Sequence, residues 1–79
     1  MEILLFGITR DIVGKAKLSI PAGEYLQTVA ELKVWLKQHY PVMQQLSSLA
    51  VAVDNEYAHD SLLINSNSEI ALIPPVSGG

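Results

Sequence analysis

The alternation of apolar and polar residues divides the first part of the chain into short extended segments. Residues 2–6 form an apolar run that stops before Gly7, and residues 15–20 end in alternating polar and apolar side chains. Both patterns are typical of β-strands. We expect a turn or loop over residues 8–14, which joins the two strands into an antiparallel hairpin.

The middle of the chain has the periodicity of a helix. Thr28 and Glu31 have the spacing of a capping box, in which the threonine hydroxyl accepts from the N–H of residue 31 and the carboxylate reaches back. Four apolar side chains then recur at helical spacing: Val29, Leu32, Trp35 and Leu36. Because a proline disfavours helix in the residue before it, Pro41 ends the helix near residue 39 or 40.

The remaining segments predict a sheet. Residues 49–53 are continuously apolar and indicate a buried strand, residues 62–64 indicate a short strand or a turn, and residues 69–73 form a last strand before Pro74. The order is strand, strand, helix, strand, short strand, strand, which predicts an α+β fold with a mixed sheet and one main helix on one face. The first and last strands then pair in parallel in the middle, as in a β-grasp (ubiquitin-like) fold. A ferredoxin-like half begins with a similar order.

Composition narrows the class of protein. At 79 residues the chain is one small domain, and 49% hydrophobic against 16% charged residues excludes disorder. Its longest apolar runs are far below the roughly 20 residues of a membrane helix. Without cysteine or a secretory pattern at the N-terminus, we expect a cytoplasmic protein with no disulfides. A net charge of -3 disfavours nucleic acid as a partner, and His39 and His59 lack the spacing of a zinc motif, so we expect no metal.

The end of the chain is the most specific feature. We divide the chain into a domain over residues 1–73 and an extended tail: Pro74, Pro75, Val76, Ser77, Gly78 and Gly79. Two prolines stiffen its base, while glycines without Cβ fit a narrow channel. The α-carboxylate expected on Gly79 is ionised at neutral pH and is a poor electrophile. It therefore needs activation, for example as an acyl-adenylate, before it accepts sulfur or acylates an amine.

Side-chain alternation in the last strand predicts an interaction surface. If Ile70 and Leu72 face the helix, Ile73 faces outward beside the tail. Tyr57 and either Leu4 or Phe6 are candidates for the same apolar patch, which is typical of a binding surface. For Arg10 two roles stay open, since it either pairs with an acid of a partner or caps its own turn.

The tail and other segments resemble the small subunit of molybdopterin synthase, a ubiquitin-like sulfur carrier. The matching stretches are the ending from Ile73 to Gly79, the opening strand up to Phe6, residues 10–14 and residues 51–55. The chain departs from the family's usual pattern at Gly7, where a bulkier residue is common, and in the turn over residues 65–68.

This resemblance implies a chain without catalytic side chains of its own. An ATP-dependent adenylyltransferase of the ubiquitin-activating type would adenylylate Gly79, and a sulfurtransferase system would convert it to a thiocarboxylate. The synthase large subunit would then take the sulfur for a pyranopterin precursor. ATP serves the activating partner, and no cofactor is expected on this chain. The alternatives are the sulfur carrier of thiamine biosynthesis, a ubiquitin-like modifier conjugated through Gly79, and an interaction domain with an inert terminus.

Overall fold

The computed structural model describes residues 1–21, 23–46 and 49–74. In chain order the elements are β1 (Glu2–Leu5), α1 (Gly7–Val13), β2 (Lys17–Ser19), α2 (Val29–His39), a 3₁₀ helix (Pro41–Gln45), β3 (Ala50–Val53), β4 (Glu56–Ala58) and β5 (Ile70–Ile73). The last strand thus ends where the predicted domain ends. The division into domain and tail stays a prediction, because residues 75–79 lie outside the described part.

The strands form one mixed sheet in the order β2-β1-β5-β3-β4. Strands β1 and β5 pair in parallel at its centre, with Ile3 opposite Ile70 and Leu5 opposite Leu72. All other strand pairs are antiparallel. The parallel pair is possible because the intervening chain crosses over through α2, as parallel strands require. The predicted α+β, β-grasp fold is confirmed.

Helix α2 covers one face of the sheet with the four apolar side chains that the periodicity indicated, each of them buried. They pack with buried side chains of the strands, among them Ile3, Leu18, Val51, Ile70 and Leu72. The helix begins after Thr28, whose Oγ1 accepts from the Glu31 N–H at 3.2 Å. The Glu31 carboxylate accepts from the backbone N–H of Gln27 at 2.9 Å, one residue earlier than a capping box predicts.

The expected loop over residues 8–14 is wrong, because this segment is helix α1. Two partly buried residues, Ile12 and Val13, pack against the core. Gly14 ends the helix in the left-handed conformation (φ 84°), and its N–H donates to the Arg10 carbonyl at 2.8 Å. Tertiary packing and this glycine cap form the helix, although β-branched residues give it low intrinsic helix propensity.

The short fourth strand also differs from the prediction. It is β4, formed by residues 56–58, because Asp54 and Asn55 both adopt positive φ (52° and 70°) and turn the chain into a tight hairpin. The apolar residues 62–64 instead contact the start of α2. Leu62 accepts from the N–H of Val29 at 3.1 Å, and Leu63 forms an isolated bridge with Thr28.

Candidate partner-docking surface

The sheet face opposite α2 carries partly exposed side chains. Strand register places five of them in one row across the sheet: Tyr57, Ala52, Ala71, Leu4 and Lys17. In β1, β2, β3 and β5 these residues alternate with buried core residues of the same strand, whereas in β4 Tyr57 lies beside the partly buried Ala58. The alternation predicted for the last strand is therefore confirmed, with Ile70 and Leu72 buried and Ile73 on the opposite face.

An apolar depression of about 320 Å³ lies on this face beside the end of β5. We call it the docking depression, and its lining residues are Leu4, Phe6, Ala52, Asn55, Tyr57, Glu69, Ala71 and Ile73. Alanine side chains stop at Cβ, so Ala52 and Ala71 leave room between larger neighbours. Phe6 is 50% exposed and Tyr57 is 77% exposed, which leaves large apolar area available to a partner.

The structure brings three of the four predicted interface residues together. Ile73, Tyr57 and Phe6 all line the docking depression, and Leu4 lines it as well. Arg10 does not line it. This residue lies in the last turn of α1, exposed to solvent, where its carbonyl accepts the Gly14 N–H. The binding role of all four residues stays a prediction.

The base of the tail starts at the rim of the docking depression. Pro74 follows Ile73 directly and is half-buried. Its ring packs against Gly7, where a Cβ would lie only 3.0 Å from the Pro74 Cγ. The other five predicted tail residues lie outside the described part: Pro75, Val76, Ser77, Gly78 and Gly79.

A hydrogen-bonded lock holds the chain between Phe6 and α1. The Thr9 hydroxyl donates to the Phe6 carbonyl at 2.6 Å, and the Phe6 N–H donates to the same hydroxyl oxygen at 3.2 Å. Thr9 is fully buried. Sequence reasoning noted Gly7 only as a departure from the family's usual pattern, and it missed Thr9. The signal was a Phe-Gly step at the end of a strand with a threonine three residues after the phenylalanine.

One carboxylate, that of Glu69, stands among the lining residues of the docking depression. The Glu69 N–H donates to the Asp54 carboxylate at 3.0 Å, and the Asp54 N–H donates to the Glu69 carbonyl at 2.8 Å. These two bonds fix the start of β5 to the β3–β4 hairpin. The depression thus has an apolar interior and a polar edge at the end far from the tail.

The helix side of the molecule holds an ion pair that is separate from this surface. The Lys33 ammonium lies 2.8 Å from the Asp60 carboxylate. Its hydrogen bond and its charge hold the pKa of the Asp60 carboxyl below the ordinary value of 3.8. The backbone of Asp60 also accepts from the N–H of Ala30 at 3.0 Å, so this loop is anchored to the first turn of α2.

No catalytic cluster is present within residues 1–21, 23–46 and 49–74. These ranges hold no group of three His, Cys, Asp or Glu side chains able to bind a metal. Ser61 Oγ lies 2.8 Å from His59 Nδ1, but both residues are exposed on a loop. An exposed pair lacks the water-excluded, preorganised donors that stabilise a reacting oxyanion.

None of the helices in the described ranges is long and apolar enough to cross a membrane.

A model of one protein family matches residues 3–79, which is nearly the whole chain. The chain belongs to the ThiS family. Similar curated proteins are molybdopterin synthase sulfur carrier subunits. The one from Dictyostelium discoideum is 40% identical over 99% of this chain and 94% of the relative. The one from Arabidopsis thaliana is 34% identical over 100% of this chain and 82% of the relative.

A solved structure of this fold is that of small archaeal modifier protein 1 from Methanosarcina acetivorans. It superposes with a TM-score of 0.79 over 99% of this chain and 94% of that chain, at 20% identity. At this identity the likeness shows the shared fold alone. The match to the ThiS family and to the molybdopterin synthase sulfur carrier subunits confirms the resemblance that the tail indicated.

Proposed function

We propose that this chain is the sulfur carrier subunit of a molybdopterin synthase, with Gly79 as its last residue carrying the sulfur as a thiocarboxylate. The single observation that carries the proposal is the similarity, over nearly the whole chain, to sulfur carrier subunits of molybdopterin synthase, one of which is 40% identical. The sequence ending from Ile73 to Gly79 and the apolar docking depression beside it support the same reading.

The structure supports separate roles for the docking depression, which a partner would cover, and for the tail, which would carry the reacting group. A partner that covers Phe6, Tyr57 and Ile73 lies next to the point where the tail begins. Gly79 is five residues after Pro74, and an extended segment of that length spans at most about 18 Å. The reacting centre of each partner therefore lies within about 18 Å of the edge of the docking depression.

The chemistry at Gly79 follows from the low reactivity of a carboxylate. Attack of the carboxylate on the α-phosphate of ATP releases pyrophosphate and leaves an acyl-adenylate. A hydrosulfide equivalent from the sulfurtransferase system then displaces AMP and leaves the thiocarboxylate. The sulfur passes to the pyranopterin precursor in the synthase large subunit, and water restores the carboxylate. This chain supplies the fold, the docking surface and the terminus, while its partners supply the catalytic side chains.

The partners are the synthase large subunit, an adenylyltransferase of the ubiquitin-activating type that uses ATP, and the sulfurtransferase system. We place the exchange among them in the cytoplasm. The similarity to molybdopterin synthase sulfur carrier subunits favours molybdopterin synthesis over thiamine biosynthesis as the pathway of this chain. The archaeal modifier shares the fold at 20% identity, which gives no support to conjugation.

Tail variants test the proposal. Deleting Gly79, or adding one residue after it, should abolish sulfur transfer in an assay with the partners from the same organism, because the reacting atom moves by one residue. The matched control is one residue added before Met1, which should leave the rate of precursor conversion unchanged. Sulfur transfer at the wild-type rate after either tail change would contradict the mechanism.

A further inference from the structure

The docking depression has a floor of two alanines between larger side chains. Ala52 lies opposite Ala71 in the pairing of β3 with β5. Tyr57 lies beyond Ala52 on β4, and Leu4 lies beyond Ala71 on β1. These two larger residues are three strand spacings apart, which is about 14 Å. The depression therefore runs along the strands and is wide enough for a side chain of a partner to lie in it.

The two ends of the docking depression differ in polarity. Ile73 and Phe6 line the end beside the tail, while Asn55 and Glu69 line the other end. Alternation along the chain places Glu69 on the same face as Ala71 and Ile73, with about 7 Å between successive members of this column. A partner side chain over the alanines would thus contact carbon along its length and reach a carboxylate at its tip.

In the ranges that the structure describes, the carboxylate of Glu69 has no cationic partner. The ion pair of these ranges joins Lys33 to Asp60 on the helix side of the molecule. The two hydrogen bonds between Glu69 and Asp54 use the backbone N–H and carbonyl of Glu69, so they leave its carboxylate available. A partner that covers this end of the depression must either pair that charge or bury it alone.

A second carboxylate lies beside the first. The parallel register of β1 and β5 brings Glu2 next to Glu69, and both line a neighbouring depression of about 400 Å³. Lys17 and the amino group of Met1 lie beside that depression too, but within the described ranges neither forms an ion pair with these carboxylates. Like charges on adjacent strands disfavour each other, so a cation from a partner would relieve their repulsion.

We propose that the docking depression takes a basic side chain, arginine or lysine, of the synthase large subunit. Its aliphatic stem would lie over Ala52 and Ala71, and its charged group would meet the carboxylate of Glu69. The proposal rests on the proposed function and names the kind of residue that the partner supplies. Arginine and lysine suit this site because they lay apolar stems along apolar surface and keep a charged tip. A neutral apolar side chain would instead cover the carboxylate without pairing it, which is costly.

The sign of one substitution separates these two occupants. Glu69→Gln removes the charge but keeps the backbone hydrogen bonds to Asp54, so the melting temperature should change little. If a basic side chain occupies the depression, the affinity for the synthase large subunit should fall at least about tenfold, because the cation of the partner loses its counter-charge. An affinity that stays unchanged or rises would indicate a neutral occupant and overturn the proposal.

The matched control is Glu56→Gln. Glu56 is also exposed near this end of the sheet, but it pairs with the buried Val53 and does not line the depression. Both variants change the net charge equally, so a general electrostatic effect would lower the two affinities to the same extent. Calorimetry at physiological ionic strength should give Glu56→Gln an affinity within about twofold of the wild type. Equal losses in the two variants would contradict the proposal.

Ala71→Leu tests the position of the aliphatic stem. A leucine raises the floor of the depression and should weaken binding at least about tenfold, because an anchor at the centre of an interface loses its space. In the Glu69→Gln background the further loss should be smaller, since both changes act on the same side chain. Ala16→Leu, at an exposed alanine before β2, is the control and should leave the affinity unchanged. Unchanged affinity of Ala71→Leu would exclude a stem over the alanines.

Sulfur transfer distinguishes failure of this inference from failure of the proposed function. A wild-type chain that neither binds the large subunit nor transfers sulfur to the precursor would overturn both. If the wild type binds and transfers sulfur while Glu69→Gln keeps full affinity, only the basic side chain in the docking depression is wrong.

Discussion

The two faces of the sheet differ, although each central strand contributes alternate residues to both of them. In β5 the buried side chains Ile70 and Leu72 are 1% and 0% exposed, while Ala71 and Ile73, which alternate with them, remain partly exposed. In β1 the buried Leu5 contrasts in the same way with Phe6, which is half exposed just beyond the strand. One face therefore holds the domain together, and the other offers apolar surface that the described residues leave uncovered.

The residues that stabilise the fold and the residues available for binding therefore lie on opposite faces of the same strands. Truncation on the helix side removes packing from a thin core, because a domain of this size buries a modest fraction of its surface. A substitution on the open face instead changes apolar surface area that only a partner would cover. Substitutions on the two faces should consequently alter different measurements.

The largest expected effect is on the helix side. Leu72→Ala should lower the free energy of unfolding by about 3 kcal/mol, because a fully buried leucine leaves a cavity. Leu4→Ala on the open face is the matched control and should cost less than about 1 kcal/mol. Urea denaturation measures both. Equal losses would show that the open face is packed as tightly as the core.

The second effect is on the open face. Ile73→Asp should weaken binding of the synthase large subunit at least about tenfold, because a charge would be buried in an apolar contact. The free energy of unfolding should change little, since Ile73 is partly exposed. Calorimetric titration measures the affinity.

The control for that substitution is Val34→Asp, on the exposed side of α2, where the side chain is 54% exposed. It should leave the affinity unchanged. An Ile73→Asp variant that fails to fold would place Ile73 in the core and contradict the two-face description.

The smallest effect concerns the ion pair between Lys33 and Asp60. The folded-state pKa of Asp60 is lowered below 3.8, so the pair stabilises the fold above that pH and loses its contribution as the pH falls through the folded-state pKa. Asp60→Asn should slightly lower the melting temperature at neutral pH and leave it unchanged at strongly acidic pH. Binding of the large subunit should not change. A difference that persists in strong acid would exclude the ion pair as its cause.

The sequence predicts the elements whose periodicity is set by burial. Helix α2 has a complete apolar stripe, and β5 alternates regularly between a buried and an open face, so both follow from spacing alone. The parallel β1–β5 pair follows from the crossover through the helix. Ile73 joins Tyr57 and Phe6 in the docking depression because the alternation along β5 places it on the open face.

The elements that the sequence did not reveal depend on contacts distant in sequence or on backbone conformation. Helix α1 has only seven residues, and the Phe6–Thr9 lock and core packing form it despite low propensity. Strand β4 has three residues with one apolar side chain facing inward, so it carries no periodic signal. The contact between Gly7 and Pro74 joins two segments far apart in sequence and has no local pattern.

The central claim is that Gly79 carries sulfur, and intact mass spectrometry tests it most directly. The purified chain is incubated with ATP, the activating enzyme and a sulfur source, using partners that modify a related carrier in parallel. We expect a mass increase equal to exchange of one oxygen for sulfur, located at Gly79 by fragmentation and reversed when the large subunit and the precursor are added. An unchanged mass, or attachment of the chain to lysines of other proteins, would contradict the account.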